Sequence, residues 1–236
     1  MTVLAKIYRA THVGKVRRNN EDSIIVIDPK TFVVADGMGG ASAGEVASQM
    51  LVEIVKIFLL KMPRPWDDKI LSRAILLANQ KIFDMAQQNS NYNGMGTTAT
   101  ILSLYKDKAY FAHVGDSRIY MLRNNVLKQI TEDHSYVESL VRRGDITPEQ
   151  ARSHPMKNVL TQAVGVVEKI FVDTANFTTQ KGDMFLLCTD GLTNMIDDET
   201  IGKIMRKAED PAKELVEAAL DAGGKDNVSV IVAGVD

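Results

Sequence analysis

Apolar residues recur along the chain with two different periods, and each change of period marks a change of element. Alternating or continuous apolar runs predict β-strands at "SIIVID", "TFVVAD", "TATILSLY", "KAYFAHV", "RIYMLR", "VLKQIT", "IFVDTANF", "DMFLLCT" and "VSVIVAGV". Several connections are short, with Lys106-Asp107 and Asn124-Asn125 at the tips, so antiparallel hairpins are expected. From about Gly44 to Leu60 the spacing turns helical, placing Val46, Met50, Ile54, Ile57 and Phe58 on one stripe. A second helix is expected from about Asp67 to Gln87, with Ile70, Ala74, Leu77, Ala78, Ile82 and Phe83 sharing a face. "SYVESLVRRG" and "TPEQARSH" predict shorter helices; in the latter Thr147 opens a capping box with Gln150, and Pro148 takes the first helical position. A last helix starts at Asp210-Pro211 and stops at Gly223. Strands grouped apart from paired helices imply sheets with helices packed outside them, an α+β layered domain rather than a βαβ alternation.

Composition narrows the function classes. With 236 residues, 45% of them hydrophobic, the chain can bury a sizeable core and suits one domain spanning 1–236. A net charge of -2 offers no electrostatic reason to expect nucleic acid or acidic lipid as a partner. Cys188 stands alone, which excludes an internal disulfide and fits a reducing compartment. "MTVLAKIYRATHVG" lacks the apolar core of a signal peptide, and "IVKIFLL" is too short to span a bilayer. A cytoplasmic protein, neither inserted in a membrane nor tethered by a tail after "SVIVAGVD", is the expectation.

The candidate chemistry lies in acids at the ends of these strands. "TFVVADGMGG" climbs an apolar run and stops on Asp36, followed by Gly37, Gly39 and Gly40. Taken alone, Asp-Gly reads as a turn. Asp116 in "AHVGDS", Asp190 in "LLCTDG" and Asp226 in "GGKDNVSVIV" repeat the arrangement, and Glu21-Asp22 precedes "SIIVID". In stacked antiparallel sheets such ends can meet at one edge, where gathered carboxylates repel one another unless a cation neutralises them. Oxygen ligands with no His or Cys nearby select Mg²⁺ or Mn²⁺ rather than zinc. Glycines beside the acids let a backbone carbonyl, Gly37, and waters approach such an ion.

The segments "THVGKVRRNNEDS", "VVADGMGGASAGEVAS", "GMGTTAT", "HVGDSRIY", "LLCTDGLTNM" and "GGKDNVSVIV" stand in the order and spacing of the protein phosphatase 2C family, which this chain resembles from Thr11 to Val232. These are metal-dependent phosphoserine/phosphothreonine phosphatases, and the likeness is greatest to bacterial members. The resemblance implies a four-layer α-β-β-α sandwich, two central antiparallel sheets flanked by helix pairs, with a dinuclear metal centre at one edge. Carried over, Asp36 bridges two Mn²⁺ or Mg²⁺ ions, Gly37 gives its carbonyl to the first, and Asp190 and Asp226 hold the second. Asp22 resembles the acid that orients water on the first ion, with Glu21 farther out. Arg17 matches the arginine that grips the substrate phosphate. Asp116 matches the residue that joins Asp190 in binding a weaker third ion. Residues from about 134 to 158 correspond to a mobile flap. In that chemistry a metal-bridging hydroxide attacks phosphorus directly, so no side-chain nucleophile is needed. Some relatives carry a histidine, proposed as general acid, where this chain has Met38; a metal-bound water could serve instead.

Blander readings compete at several positions. Cys188 reads as a small buried core residue. His12, His113, His134 and His154 show no zinc-site spacing, and His113 at a strand end reads as structural. Arg142-Arg143 reads as a solvated helix face, with phosphoprotein docking as the alternative. The favoured function is a monomeric phosphatase of phosphorylated proteins, opposing a cognate Ser/Thr protein kinase. The alternatives are a phosphatase specialised for one regulatory phosphoprotein in a partner-switching pathway and a pseudophosphatase binding module. The latter predicts loss of metal acids, yet all five are present.

Overall fold

The computed structural model describes residues 4–39 and 43–235, which form two antiparallel sheets with helices on their outer faces. Gly40, last of the glycines after Asp36, lies outside the described residues. The chain begins with β1 (Leu4–His12), β2 (Asp22–Asp28) and β3 (Thr31–Met38), then two long helices, α1 (Ala43–Leu60) and α2 (Asp68–Gln88). β4 (Gly96–Thr97), β5 (Ala99–Tyr105), β6 (Lys108–Val114), β7 (Arg118–Arg123) and β8 (Val126–Gln129) follow. After α3 (Tyr136–Arg143) and α4 (Pro148–Ser153) come β9 (Asp173–Thr178), β10 (Met184–Cys188), α5 (Asp190–Thr193), α6 (Asp198–Lys207), α7 (Pro211–Asp221) and β11 (Val228–Val235). One sheet has the order β1-β11-β10-β7-β8; the other has β2-β3-β5-β6-β9, with β4 added to β3.

Strand alternation sorts side chains into three cores. On β3, Phe32 and Val34 point between the sheets while Val33 and Ala35 face α1 and α2. On β10, Phe185 and Leu187 join the inter-sheet core, and Leu186 and Cys188 face α5–α7. β11 does the same with Ile231 and Ala233 inward and Val230 and Val232 toward the helices. The result is the expected α-β-β-α layering.

Several local expectations are corrected. α1 buries Ala43, Ala47, Leu51, Val55 and Leu59, one residue round from the stripe read from sequence, and Ile57 is exposed. Small residues at 43 and 47 let the helix settle closest to the sheet there, and Val46, Met50, Ile54 and Phe58 pack along its flank. Leu77 of α2 is likewise exposed. β3 does not end at Asp36, because Gly37 and Met38 pair with Thr97 and Gly96 of β4. A non-local ladder thus overrides the local turn signal of Asp-Gly. β1, α5 and α6 lie outside the apolar periodicities that mark the other elements. Asn124 and Asn125 do form a tight tip, with φ of 51° and 64°.

One polar side chain ties a helix to the loop at residues 165–168. Asn79, buried on α2, accepts the Gly165 N–H at 2.7 Å and donates to the carbonyls of Val167 and Glu168 at 3.1 and 3.0 Å. Asn79→Leu strands these groups, and urea unfolding should show a loss of about 2–3 kcal/mol, the scale for unsatisfied buried partners. A loss under about 0.5 kcal/mol would show that water replaces the carboxamide.

Candidate metal centre

The acids stand where the inter-sheet core runs out. Phe32, Val34 and Asp36 occupy alternate positions on β3, so Asp36 continues the inward-facing row. On β2 the same row reads Asp22, Ile24, Val26. Asp22 pairs directly with Asp36, so their side chains lie on the same face of the sheet. From the opposite sheet, Thr189 follows Phe185 and Leu187 on the inward row, and its hydroxyl donates to Asp22 Oδ2 at 2.9 Å. Asp190 comes next, opening α5 as the chain leaves β10. Its Oδ2 accepts from Asn194 Nδ2 at 2.8 Å, and Asn194 in turn accepts from Lys157 Nζ at 3.0 Å.

Asp226 sits just before β11. Its Oδ2 accepts from Arg17 Nη2 at 2.9 Å, while its Oδ1 accepts the Asn227 N–H at 2.8 Å. Asn227, which sequence reasoning missed, organises the loop bearing Arg17. Its Oδ1 accepts the Glu21 N–H at 2.8 Å, and its Nδ2 donates to the Val13 and Asn19 carbonyls at 2.9 Å each. The only sequence signal for this role was its place beside Asp226. Gly14 holds a left-handed φ of 83°, and a Cβ there would lie 2.3 Å from the Asp226 carbonyl oxygen. Gly37 is required by packing as well. A Cβ at that position would meet the Gly44 carbonyl oxygen at 2.1 Å and that of Glu21 at 2.5 Å. The α1 N-terminus can therefore press against β3 only where β3 has no side chain.

Arg17, Glu21, Asp36, Gly37, Asp116, Asp190 and Asp226 border one cavity of about 300 Å³, with Met38 also on its wall. Asp22 is not on that wall but buried beside it. Burial pushes the Asp22 carboxyl up to about 7; the hydroxyls of Ser229 and Thr189 oppose the rise, and Asp190 and Asp226 add to it. Burial, then the charges of Asp22 and Asp190, hold Asp36 well above the usual carboxylate range. Asp190 is raised to about 6 by burial and by Asp226, with the Asp36 carboxyl pulling it back through a hydrogen bond. Burial and Asp190 raise Asp116.

This donor set fits a hard divalent cation. Its ligating atoms are oxygens, and its like charges lie too close for all to ionise alone. Asp22 Oδ1 is buried with no hydrogen-bond partner. Among the described residues, however, the carboxylates do not close into a ready-made cluster of three ligating side chains. They share a cavity, and ligation would draw them inward.

Asp116 also borders a second cavity of about 270 Å³ beneath α3 and α4, as do Asp190, Lys157 and Arg152. The remaining candidates are ordinary. Cys188 is fully buried and its thiol is raised to about 12, so no thiolate forms at neutral pH. Arg142 and Arg143 pair on the surface with Glu132 and Asp145. His113 is buried and pushed down to about 3, first by desolvation and then by His134.

Comparison with known proteins agrees with this geometry. The family model for protein phosphatase 2C matches residues 14–228. The chain is 39% identical over 241 residues to a serine/threonine phosphatase, stp, of Listeria monocytogenes, covering 96% of this chain and 94% of the relative. The crystal structure of the serine/threonine phosphatase Stp1 from Staphylococcus aureus superposes with a TM-score of 0.94 at 34% identity, covering 100% of this chain and 96% of that one. The catalytic domain of the phosphatase PstP, solved with two manganese ions, superposes with a TM-score of 0.91 at 35% identity, covering 100% and 99%. Matching motifs, layers and cavity over nearly the whole length place this chain in the protein phosphatase 2C family, among its bacterial members.

Proposed function

We propose that this chain hydrolyses phosphoserine and phosphothreonine esters of proteins, opposing a Ser/Thr protein kinase, with Mn²⁺ or Mg²⁺ held by its acidic cavity. The observation that carries this reading is the meeting of Asp36, Asp116, Asp190 and Asp226 on one cavity wall, with the partnerless Asp22 Oδ1 behind it and Arg17 beside them. A solved relative with two manganese ions supports the metal class. In this reading Asp36, Gly37, Asp190 and Asp226 would hold the tightly bound ions, and Asp116 with Asp190 would hold a weaker third. Bound divalent ions supply Lewis acidity, drawing charge from the phosphate and making water acidic enough to act near neutral pH.

The chain's own groups do the rest. Arg17 presents a planar fork of N–H donors, one of them engaged by Asp226, and grips the phosphate oxygens at the cavity mouth. Asn227 fixes the loop from Val13 to Glu21, so Arg17 is oriented before substrate arrives. Asp22 would orient water at the first ion through Oδ1, the atom that has no partner. All five acids being in place speaks against a binding module without turnover.

Metal binding should be readable without substrate. An unfolded Asp ionises near about 4, whereas burial keeps Asp22 and Asp190 protonated to about 7 and about 6. A raised carboxyl stabilises the fold below its unfolded pKa and loses that contribution as pH climbs through the folded value. Urea unfolding of chelated protein should therefore show stability falling from pH 4 to 7, and Mn²⁺ should reverse the fall at pH 7. Stability that rises over this range and ignores Mn²⁺ would rule out the acidic centre.

Substitutions separate the roles. Asp36→Asn should abolish turnover of a phosphothreonine peptide, while Arg17→Ala should raise KM about 10-fold or more, the worth of a charged hydrogen bond. Cys188→Ser should leave turnover near the wild-type rate. A folded, metal-loaded Cys188→Ser that is inactive would mean a different reaction.

Asp116→Ala should keep two tightly bound Mn²⁺ by calorimetry yet lose kcat. Unchanged kcat with unchanged metal stoichiometry would remove Asp116 from the mechanism.

A further inference from the structure

The turn between β6 and β7 carries Asp116, and its neighbour Gly115 is held on both of its polar backbone groups by one residue. The His134 backbone N–H donates to the Gly115 carbonyl at 2.7 Å, and the Gly115 N–H donates to His134 Nδ1 at 3.2 Å. On the far side of the ring, His134 Nε2 stands 3.1 Å from Asp173 Oδ2. An imidazole that accepts at Nδ1 carries its proton on Nε2, so Asp173 selects the tautomer that Gly115 needs. His113 Nε2 contacts the same Gly115 carbonyl at 3.0 Å, and its Nδ1 bonds the Thr100 hydroxyl at 2.9 Å.

The other shoulder of Asp116 is tied to the same segment. Arg118 forks onto Asp133, the residue before His134, with contacts between 2.7 and 3.1 Å. Gly115 itself has φ of +111°, and a Cβ there would lie 2.5 Å from the Thr98 methyl. That Thr98 hydroxyl accepts the Asp36 N–H at 2.8 Å and bonds Ser117 at 2.8 Å. Beyond His134 the chain enters α3 through its cap Ser135, and the Thr161 N–H returns to the His134 carbonyl at 2.8 Å. One residue thus joins the base of the segment over the second cavity to the turn that carries an acid shared by both cavities.

We infer that His134 is a positioning residue for Asp116: held in one tautomer by Asp173, it grips the Gly115 peptide and so sets where the Asp116 carboxylate stands on the wall shared by the two cavities. The inference rests on the proposed part of Asp116 in turnover.

The test is a double-mutant cycle on a phosphothreonine peptide in Mn²⁺, with hydrogen exchange at the Gly115 and Asp116 amides as a readout independent of activity. His134→Leu should lower kcat about 10- to 100-fold, as small misplacements of a reacting group do, with KM within about twofold. His134→Asn, whose Oδ1 can accept the Gly115 N–H, should restore most of the loss. In an Asp116→Ala background, His134→Leu should cost nothing further. Gly115 exchange should quicken in the Leu variant and return toward the wild-type rate in the Asn variant. Equal losses in both backgrounds, or Gly115 protection unchanged by His134→Leu, would overturn the inference. If His134→Leu does not fold, Asp173→Ala carries the same comparison from a more exposed position. Full kcat in Asp116→Ala alone would instead sink the role given to Asp116, and the exchange data would still decide whether His134 holds the turn.

Discussion

Acids opposite one another on paired strands, at the edge of a dry core, form the constraint around which this molecule is arranged. Asp22 and Asp36 face each other across β2 and β3, and Asp190 meets them from the second sheet. Such a group is unfavourable in any fold that lacks compensating partners. The partners come from all sides: Thr189 to Asp22, Arg17 to Asp226, Asn194 to Asp190 and Thr98 to the Asp36 backbone. Each lies far in sequence from at least one other, so assembling the site and closing the sandwich are the same event. What these hydrogen bonds leave unmet, above all at Asp22 Oδ1, is what a cation is suited to satisfy.

The location of the site follows from the same alternation that builds the core. Each inward row on β2, β3 and β10 ends in a polar residue where the sheets stop covering one another. Apolar side chains fill the sandwich up to that line, and oxygens take over beyond it. The cavity is therefore bounded on one side by rigid, dry packing, which gives its acids fixed starting positions.

That logic also explains what the sequence disclosed. Acids closing apolar runs were visible as a pattern, and the layer arrangement followed from strands grouped apart from helices. β1 escaped notice because Lys6 and Arg9 interrupt its apolar positions and its partner, β11, lies at the other end of the chain. α6 escaped because Ile201, Gly202 and Met205 make a narrow buried stripe with a glycine in its middle. The strand-like course of Asp36-Gly37-Met38 depends on β4, and nothing local announces that pairing. Asn227 and His134 were illegible for a related reason. Their importance lies in bonds to backbone groups of distant residues, and a side chain's type does not reveal which peptide it will hold.

The pairing of β1 with β11 has a consequence for the order in which competence is acquired. Among the strands of the two sheets β11 is the last to be synthesised, and it fills the place between β1 and β10. Asp226 and Asn227 lie at its mouth, and through Asn227 the loop of Arg17 and Glu21 is fastened. Until those residues leave the ribosome, the earlier acids can exist in a growing chain without a neighbour to complete them. Such contacts between distant segments form slowly, since a long loop must close first. A chain that stops short of β11 lacks Asp226 and the anchor of the Arg17 loop, so the acid and the arginine become neighbours only once that strand is in place.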